Sequence, residues 1–158
     1  MNVLYIHHTG EMDGSSISLL NLISYLDRKR ISPSVLLAKD GSLKEELESR
    51  DIKVDILPIN MFWTFPGPRW SERNYLKNFR AFLPNKQLIS YMERLNPNII
   101  HINDKVLLSA GIAAYRLGYP IVWHSRSTYF ITRAKINAFI SSFIIKRIAD
   151  RIIALSED

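Results

Sequence analysis

Six short runs of aliphatic, β-branched and aromatic residues recur along this chain, and between them lie longer stretches whose apolar residues repeat at helical spacing. This alternation constrains the fold more than any other feature. Strands joined by helix-length crossovers pair in parallel, with the helices packed over the sheet faces. The runs are Val3–His7, Ser34–Ala38, Val54–Leu57, Ile99–Ile102, Ile121–Trp123 and Ile152–Leu155. The first is apolar up to its terminal histidine and suits a strand covered on both faces. The expected architecture is a Rossmann-like, doubly wound α/β/α sandwich around a parallel sheet, with strand order 3-2-1-4-5-6.

The connections carry their own punctuation. Leu19, Leu22, Ile23 and Leu26 fall on one helical face. Asp40 and Gly41 read as a turn, Ser42 as a helix cap and Glu45 as its capping-box partner. From Asn60 to Lys86 the rhythm breaks, and Trp63, Phe65, Pro66, Gly67, Pro68 and Trp70 form a turn-rich aromatic insertion. A helix is expected from about Ser71 to Leu83, ended by Pro84. The next carries Leu88, Met92 and Leu95 and is closed by Pro97. Another runs to about Leu117 and stops at Gly118, and the last covers roughly Thr132 to Ala149.

With 158 residues, 47% of them hydrophobic, residues 1–158 suffice for one domain with a real core. No apolar run approaches the ~20 residues that cross a bilayer, and the N-terminus lacks the pattern of a secretory leader. A cytoplasmic location is expected, with the cytosolic face of a membrane as a candidate docking place. There is no cysteine, so thiol nucleophiles, disulfides and cysteine metal sites are excluded. Lys and Arg number 21 against 15 Asp and Glu, a net charge of +6 that favours anionic partners. Nucleic acid is not among those expected, because the basic residues are spread out and no recognition motif is present.

In open parallel sheets ligands bind beyond the carboxyl ends of the strands. Here those ends carry His7, His8 and Thr9, then Lys39 and Asp40, Asn103 and Asp104, His124, Ser125 and Arg126, and Ser156. His124 and Arg126 follow an apolar strand directly and can donate to anionic or hydroxylated groups. The loop leading to Ser16 offers Gly10 and Gly14 at a helix start, yet it is neither a dinucleotide fingerprint nor a P-loop. A ligand-facing loop and a plain tight turn both fit it. His7 and His8 are adjacent, so strand geometry would turn them to opposite faces, and no shared metal is expected. His101 reads as a hydrogen-bonded core histidine. Arg69, Arg73, Lys77 and Arg80 share a helical face near Trp63 and Trp70. That pattern fits either a membrane-facing interfacial segment or an ordinary solvated basic face.

Four segments together resemble one family. DGSSISLLNLISYL is similar to the start of the first helix in family 4 glycosyltransferases, and PNIIHIND to their fourth strand. PIVWHSR resembles the fifth strand, which ends in a functional histidine, and ADRIIALSED the last strand of the N-terminal domain. The resemblance implies one half of a GT-B fold, the acceptor-side domain. The activity it implies is retaining transfer of a sugar from a nucleotide-sugar donor to a glycan or lipid-linked acceptor, as in polysaccharide biosynthesis. No cofactor or metal is implied beyond the donor substrate. On the matching positions Gly14 would face the donor phosphates and the acceptor, and His124 would hydrogen-bond the donor sugar as the catalytic candidate. Gly10, Asp104, Ser125 and Arg126 would line the same edge. Asp13, Ser16 and Asn98 depart from the family pattern, which more often has Gly, Glu and Asp there. The nucleotide-gripping second domain is not in this sequence, so the isolated chain is expected to be inactive. The alternative is a non-catalytic Rossmann-like module that binds carbohydrate or an anion.

Overall fold

Strands form where the apolar runs predict them in the computed structural model, which describes residues 1–62, 80–126 and 135–154. In chain order the elements are β1 (Asn2–His7), α1 (Gly14–Ser24), β2 (Ser32–Leu37), α2 (Ser42–Glu48) and β3 (Lys53–Ile56). After a 3-10 turn at Arg80–Phe82 come α3 (Lys86–Leu95), β4 (Ile99–Ile102), α4 (Leu108–Arg116), β5 (Ile121–Ser125), α5 (Lys135–Ile148) and β6 (Arg151–Ala154). All neighbouring strands pair in parallel, in the order β3-β2-β1-β4-β5-β6 that the sequence implies.

Side chains that alternate along the strands feed two cores. Val3, Tyr5, Val35 and Leu37 pack under Leu19, Leu20 and Ile23 of α1 and Leu43 and Leu47 of α2. On the opposite face Leu4, Ile6, Ile100, Ile102 and Trp123 meet α3, α4 and α5 through Leu88, Met92, Leu108, Ala110, Ala114 and Ile145. Trp123 is fully buried because Gly111 of α4 leaves room for it: a Cβ there would lie 2.1 Å from Trp123 Cζ3. That gap is a requirement of the packing.

Several local expectations are corrected. Gly41, not Ser42, caps α2, and it makes no side-chain cap hydrogen bond, so there is no capping box. Instead the Leu43 amide donates to the Gly10 carbonyl at 2.8 Å, which satisfies a helix N-terminal donor from outside the helix. Asn96, left-handed at φ 45°, terminates α3 ahead of Pro97. Strand β5 runs to Ser125, two residues further than the apolar run, because His124 and Ser125 pair with Ile153 and Ala154 of β6. Asn98 ties the start of β1 to that of β4, its Oδ1 accepting from the Asn2 amide at 2.7 Å. Of the helix expected over Ser71–Leu83, only the turn at Arg80–Phe82 falls within the described residues. Trp63, Trp70, Arg69, Arg73, Lys77 and Ser156 lie outside them, and Arg80 is exposed. Among the described residues no helix is long and apolar enough to cross a membrane.

Candidate functional site

The ends of β1, β4 and β5, at the centre of the sheet, bring together all four histidines of the chain with Asn103, Asp104 and Arg126. Strand β1 delivers His7 into a fully buried position under α1. Its Nδ1 faces Asn103 Nδ2 at 2.8 Å, and its Nε2 faces Ser16 Oγ at 3.0 Å. The amide nitrogen of Asn103 is a donor, so Nδ1 accepts and Nε2–H donates. Ser16 Oγ in turn donates to the Glu11 carbonyl at 2.6 Å. The other end of Asn103 accepts from Arg126 Nε, and Arg126 Nη1 donates to Ser18 Oγ. A hydrogen-bonded chain therefore runs from β5 through β4 and β1 into the loop before α1. Burial, reinforced by the neighbouring His8, pushes the His7 imidazole down to about 3, so it is neutral and fixed in one tautomer.

His124 extends this constellation along β5. It packs against His101, with ring centroids 5.7 Å apart, and His101 against Tyr5 at 4.9 Å. Burial and then the Arg126 charge lower His124 to about 4, and burial above all lowers His101 to about 3. The expected hydrogen bond of His101 is missing, since its buried Nε2 has no partner among the described residues. On that face His101 meets the Tyr5 and His124 rings through ring contacts. His124 Nδ1, His8 Nδ1 and Arg126 Nη2 are likewise buried without a hydrogen-bond partner among the described residues. Buried polar atoms of this kind are rare unless something is meant to meet them. Burial lowers the Arg126 pKa while the Asp104 charge opposes that shift. Ser125 ends β5 half-buried.

The two glycines differ. A Cβ on Gly10 would sit 2.4 Å from the Asp40 carbonyl carbon, and one on Gly41 equally close to the Gly10 oxygen. Gly10 is therefore present so that two loops can touch back to back. A Cβ on Gly14 would meet nothing within 4 Å, so this first residue of α1 borders open space. The helix N-terminus beside it is already capped: Asp13 Oδ1 accepts from the Ser16 amide at 2.8 Å and from Ser15 Oγ at 2.6 Å. Burial raises the Asp13 pKa, but these hydrogen bonds outweigh it and hold the carboxyl below its usual range. A carboxylate in that place disfavours a phosphate.

His8 departs from the alternation expected of a strand, because β1 stops at His7. Its ring turns edge-on to His7 with centroids 4.7 Å apart. Nε2 lies 3.9 Å from Asp13 Oδ2, and Nδ1 lies 4.0 Å from Asp104 Oδ2. Among the described residues no cluster of three or more His, Asp or Glu side chains is placed to hold a metal ion.

Sequence reasoning placed Asp104, Ser125, Arg126 and His124 on this rim, and they lie there. It missed Ser16 and Ser18 as partners and left His7, His8 and Asn103 without roles. Their signal was present in their position at the strand ends, but the hydrogen bonds that use them join residues as much as 108 positions apart.

A sequence model described as Glycosyltransferase Family 4 matches residues 12–158. No curated protein matches significantly. Among solved structures, HepE from Anabaena, crystallised with UDP and glucose, superposes with a TM-score of 0.67 at 21% identity, covering 99% of this chain and 39% of that one. MurG from Acinetobacter baumannii gives 0.63 at 16%, covering 97% and 40%. A putative UDP-N-acetylglucosamine 2-epimerase from Listeria monocytogenes gives 0.60 at 17%, covering 99% and 39%. At these identities the likeness is one of fold. The chain spans about two-fifths of the length of these proteins.

Proposed function

Because the chain belongs to glycosyltransferase family 4, we propose that it is the acceptor-side half of a GT-B enzyme. That enzyme transfers a sugar from a nucleotide-sugar donor to a glycan or lipid-linked acceptor, with retention of anomeric configuration. The second half, which would grip the nucleotide, is supplied by further polypeptide. The observation that carries this reading is a set of buried polar atoms with no hydrogen-bond partner among the described residues, at the ends of β1 and β5: the Nδ1 atoms of His8 and His124 and Nη2 of Arg126. They stand on a frame made rigid by the Arg126–Asn103–His7–Ser16 chain. A neutral imidazole at position 124 is a hydrogen-bonding group for a sugar hydroxyl, and it does not compete for charge with Arg126. Gly14 leaves space for substrate where Asp13 turns phosphate away, so the α1 loop suits the acceptor better than the donor phosphates.

Transfer requires both reactants held in one closed cleft, so the isolated chain should bind without turning over. The test combines the chain with polypeptide carrying a second Rossmann-like half and screens UDP- and GDP-sugars with glycan and lipid-linked acceptors. Transfer that depends on the second half and falls with His124→Ala supports the reading. Turnover by the chain alone overturns the need for a second half. Sugar binding without transfer under any pairing favours a non-catalytic carbohydrate-binding module.

A further inference from the structure

We infer that Arg126 reads a negative charge on the acceptor, so that the acceptor taken by this rim carries an oxyanion, as a carboxylate or a phosphate ester. The inference rests on the transfer reading above and adds to it the class of acceptor. Arg126 follows β5 directly and is half-buried. Its Nε donates to Asn103 Oδ1 and its Nη1 to Ser18 Oγ, and Asn103 is held in turn by His7. A guanidinium is planar, so two anchored nitrogens fix the direction of the third. That third nitrogen, Nη2, is buried and has no hydrogen-bond partner among the described residues.

The charge is unanswered as well as the donor. Both anchors are neutral oxygens, and among the described residues no carboxylate oxygen lies within 4.0 Å of the guanidinium. Asp104 acts on it only from beyond that distance. Arginine stays charged at any working pH, and a guanidinium drawn out of water without an ion pair is costly. An oxyanion supplies both things at once, lone pairs for Nη2 and the opposite charge. A sugar hydroxyl would supply only the first, and the neutral His124 beside Arg126 already offers a group for hydroxyls.

The place of the anchor favours the acceptor as the bearer of that charge. Ser18 lies in α1 more than one turn beyond Asp13, the carboxylate that caps the helix start. An anion seated on Nη2 is thereby set apart from the one place where Asp13 repels it, and the open space beside Gly14 belongs to the same helix. The donor phosphates, in the reading above, are gripped by the second half. A net charge of +6 draws an acidic acceptor towards this chain from a distance.

The test begins with binding to the chain itself. Glucose, glucuronate and glucose 6-phosphate share one ring and differ in what they carry at carbon 6: a hydroxyl, a carboxylate or a phosphate ester. Titrated into the isotope-labelled chain and followed by NMR at low salt, at least one of the two anions should bind about tenfold or more tightly than glucose. That preference should shrink as salt is added. The anion that binds more tightly tells a carboxylate from a phosphate on the acceptor. Arg126→Gln should remove the preference, and Arg126→Lys should keep part of it, because the charge remains while the planar fork is lost. The Lys variant thus separates loss of the charge from loss of the fold. In transfer with the second half, Arg126→Gln should raise the acceptor KM more than the donor KM. Equal binding of the three sugars, or a preference that survives in Arg126→Gln, overturns the inference and leaves the transfer reading standing. No transfer with any pairing overturns the transfer reading, whereas an anion preference that disappears in Arg126→Gln still upholds Arg126 as the oxyanion site of a binding module.

Discussion

Asn103 on the β4 side and His7 at the end of β1 are joined at 2.8 Å across 96 positions of sequence, and no water-facing group lies between them. Through its two ends Asn103 serves a buried imidazole and a guanidinium at once. Replacing it with Leu would leave both without that partner. We expect Asn103→Leu to destabilise the fold by about 2–3 kcal/mol, a fall of roughly 5–10 °C in Tm. Calorimetry of the variant measures it, and an unchanged Tm would show that the chain is not held through this residue.

The glycines separate packing from site. Gly10→Ala forces a Cβ into the Asp40 backbone and should cost about 2–4 kcal/mol. Gly14→Ala meets nothing and should change stability by no more than about 1 kcal/mol. Urea titrations of the two variants side by side check the contrast, and any loss of sugar transfer in Gly14→Ala would then be due to the site.

Gly111→Ala tests the other face of the sheet. The added methyl would overlap the ring of Trp123, which is enclosed on all sides. Overpacking should cost about 1–3 kcal/mol. Combining it with Trp123→Leu, which vacates the overlapping ring atoms, should give a cost smaller than the sum of the two single changes, as a double-mutant cycle would register.

Stability should fall in acid for an identifiable reason. His7 and His101 have folded pKa values of about 3 and His124 of about 4, all below the unfolded value near 6.5. Between those limits the unfolded chain binds protons that the folded chain does not. Their contribution is therefore complete above about pH 6.5 and is lost progressively as pH drops towards 4 and 3. Denaturant midpoints at pH 7 and pH 4.5 should differ, and His101→Phe, which removes one buried titrating ring, should narrow the gap. Midpoints independent of pH across this window would contradict the assignment of neutral buried imidazoles.

His124→Ala should separate function from folding. The buried Nδ1 of His124 has no hydrogen-bond partner among the described residues, so truncation there breaks no bond made by that atom. Tm should change by only about 2–6 °C while sugar transfer falls at least tenfold. Equal transfer by wild type and variant would remove His124 from the site.

How far the sequence could be read depended on the range of the interactions involved. Strand identity and helix faces follow from local periodicity, and parallel pairing from the rule that parallel strands need crossovers, while the strand order came with the doubly wound fold that the family resemblance implies. Accordingly the runs at Val3–His7, Ile99–Ile102 and Ile121–Trp123 became β1, β4 and β5 with small shifts at their ends. The rule that ligands gather at the carboxyl ends of strands also brought His124, Ser125, Arg126 and Asp104 to one rim before any contact was known. What lay beyond reach were pairings between residues distant in sequence. That Asn103 divides itself between His7 and Arg126, that Gly10 exists for Asp40 and Gly41, and that His8 stands between Asp13 and Asp104 depend on side-chain directions set when four loops meet. Periodicity is a property of neighbouring residues along the chain and determines which surfaces are apolar. Hydrogen bonds and steric gaps are decided over a few ångströms by the folded sheet, and that is where this protein's polar rim acquires its chemistry.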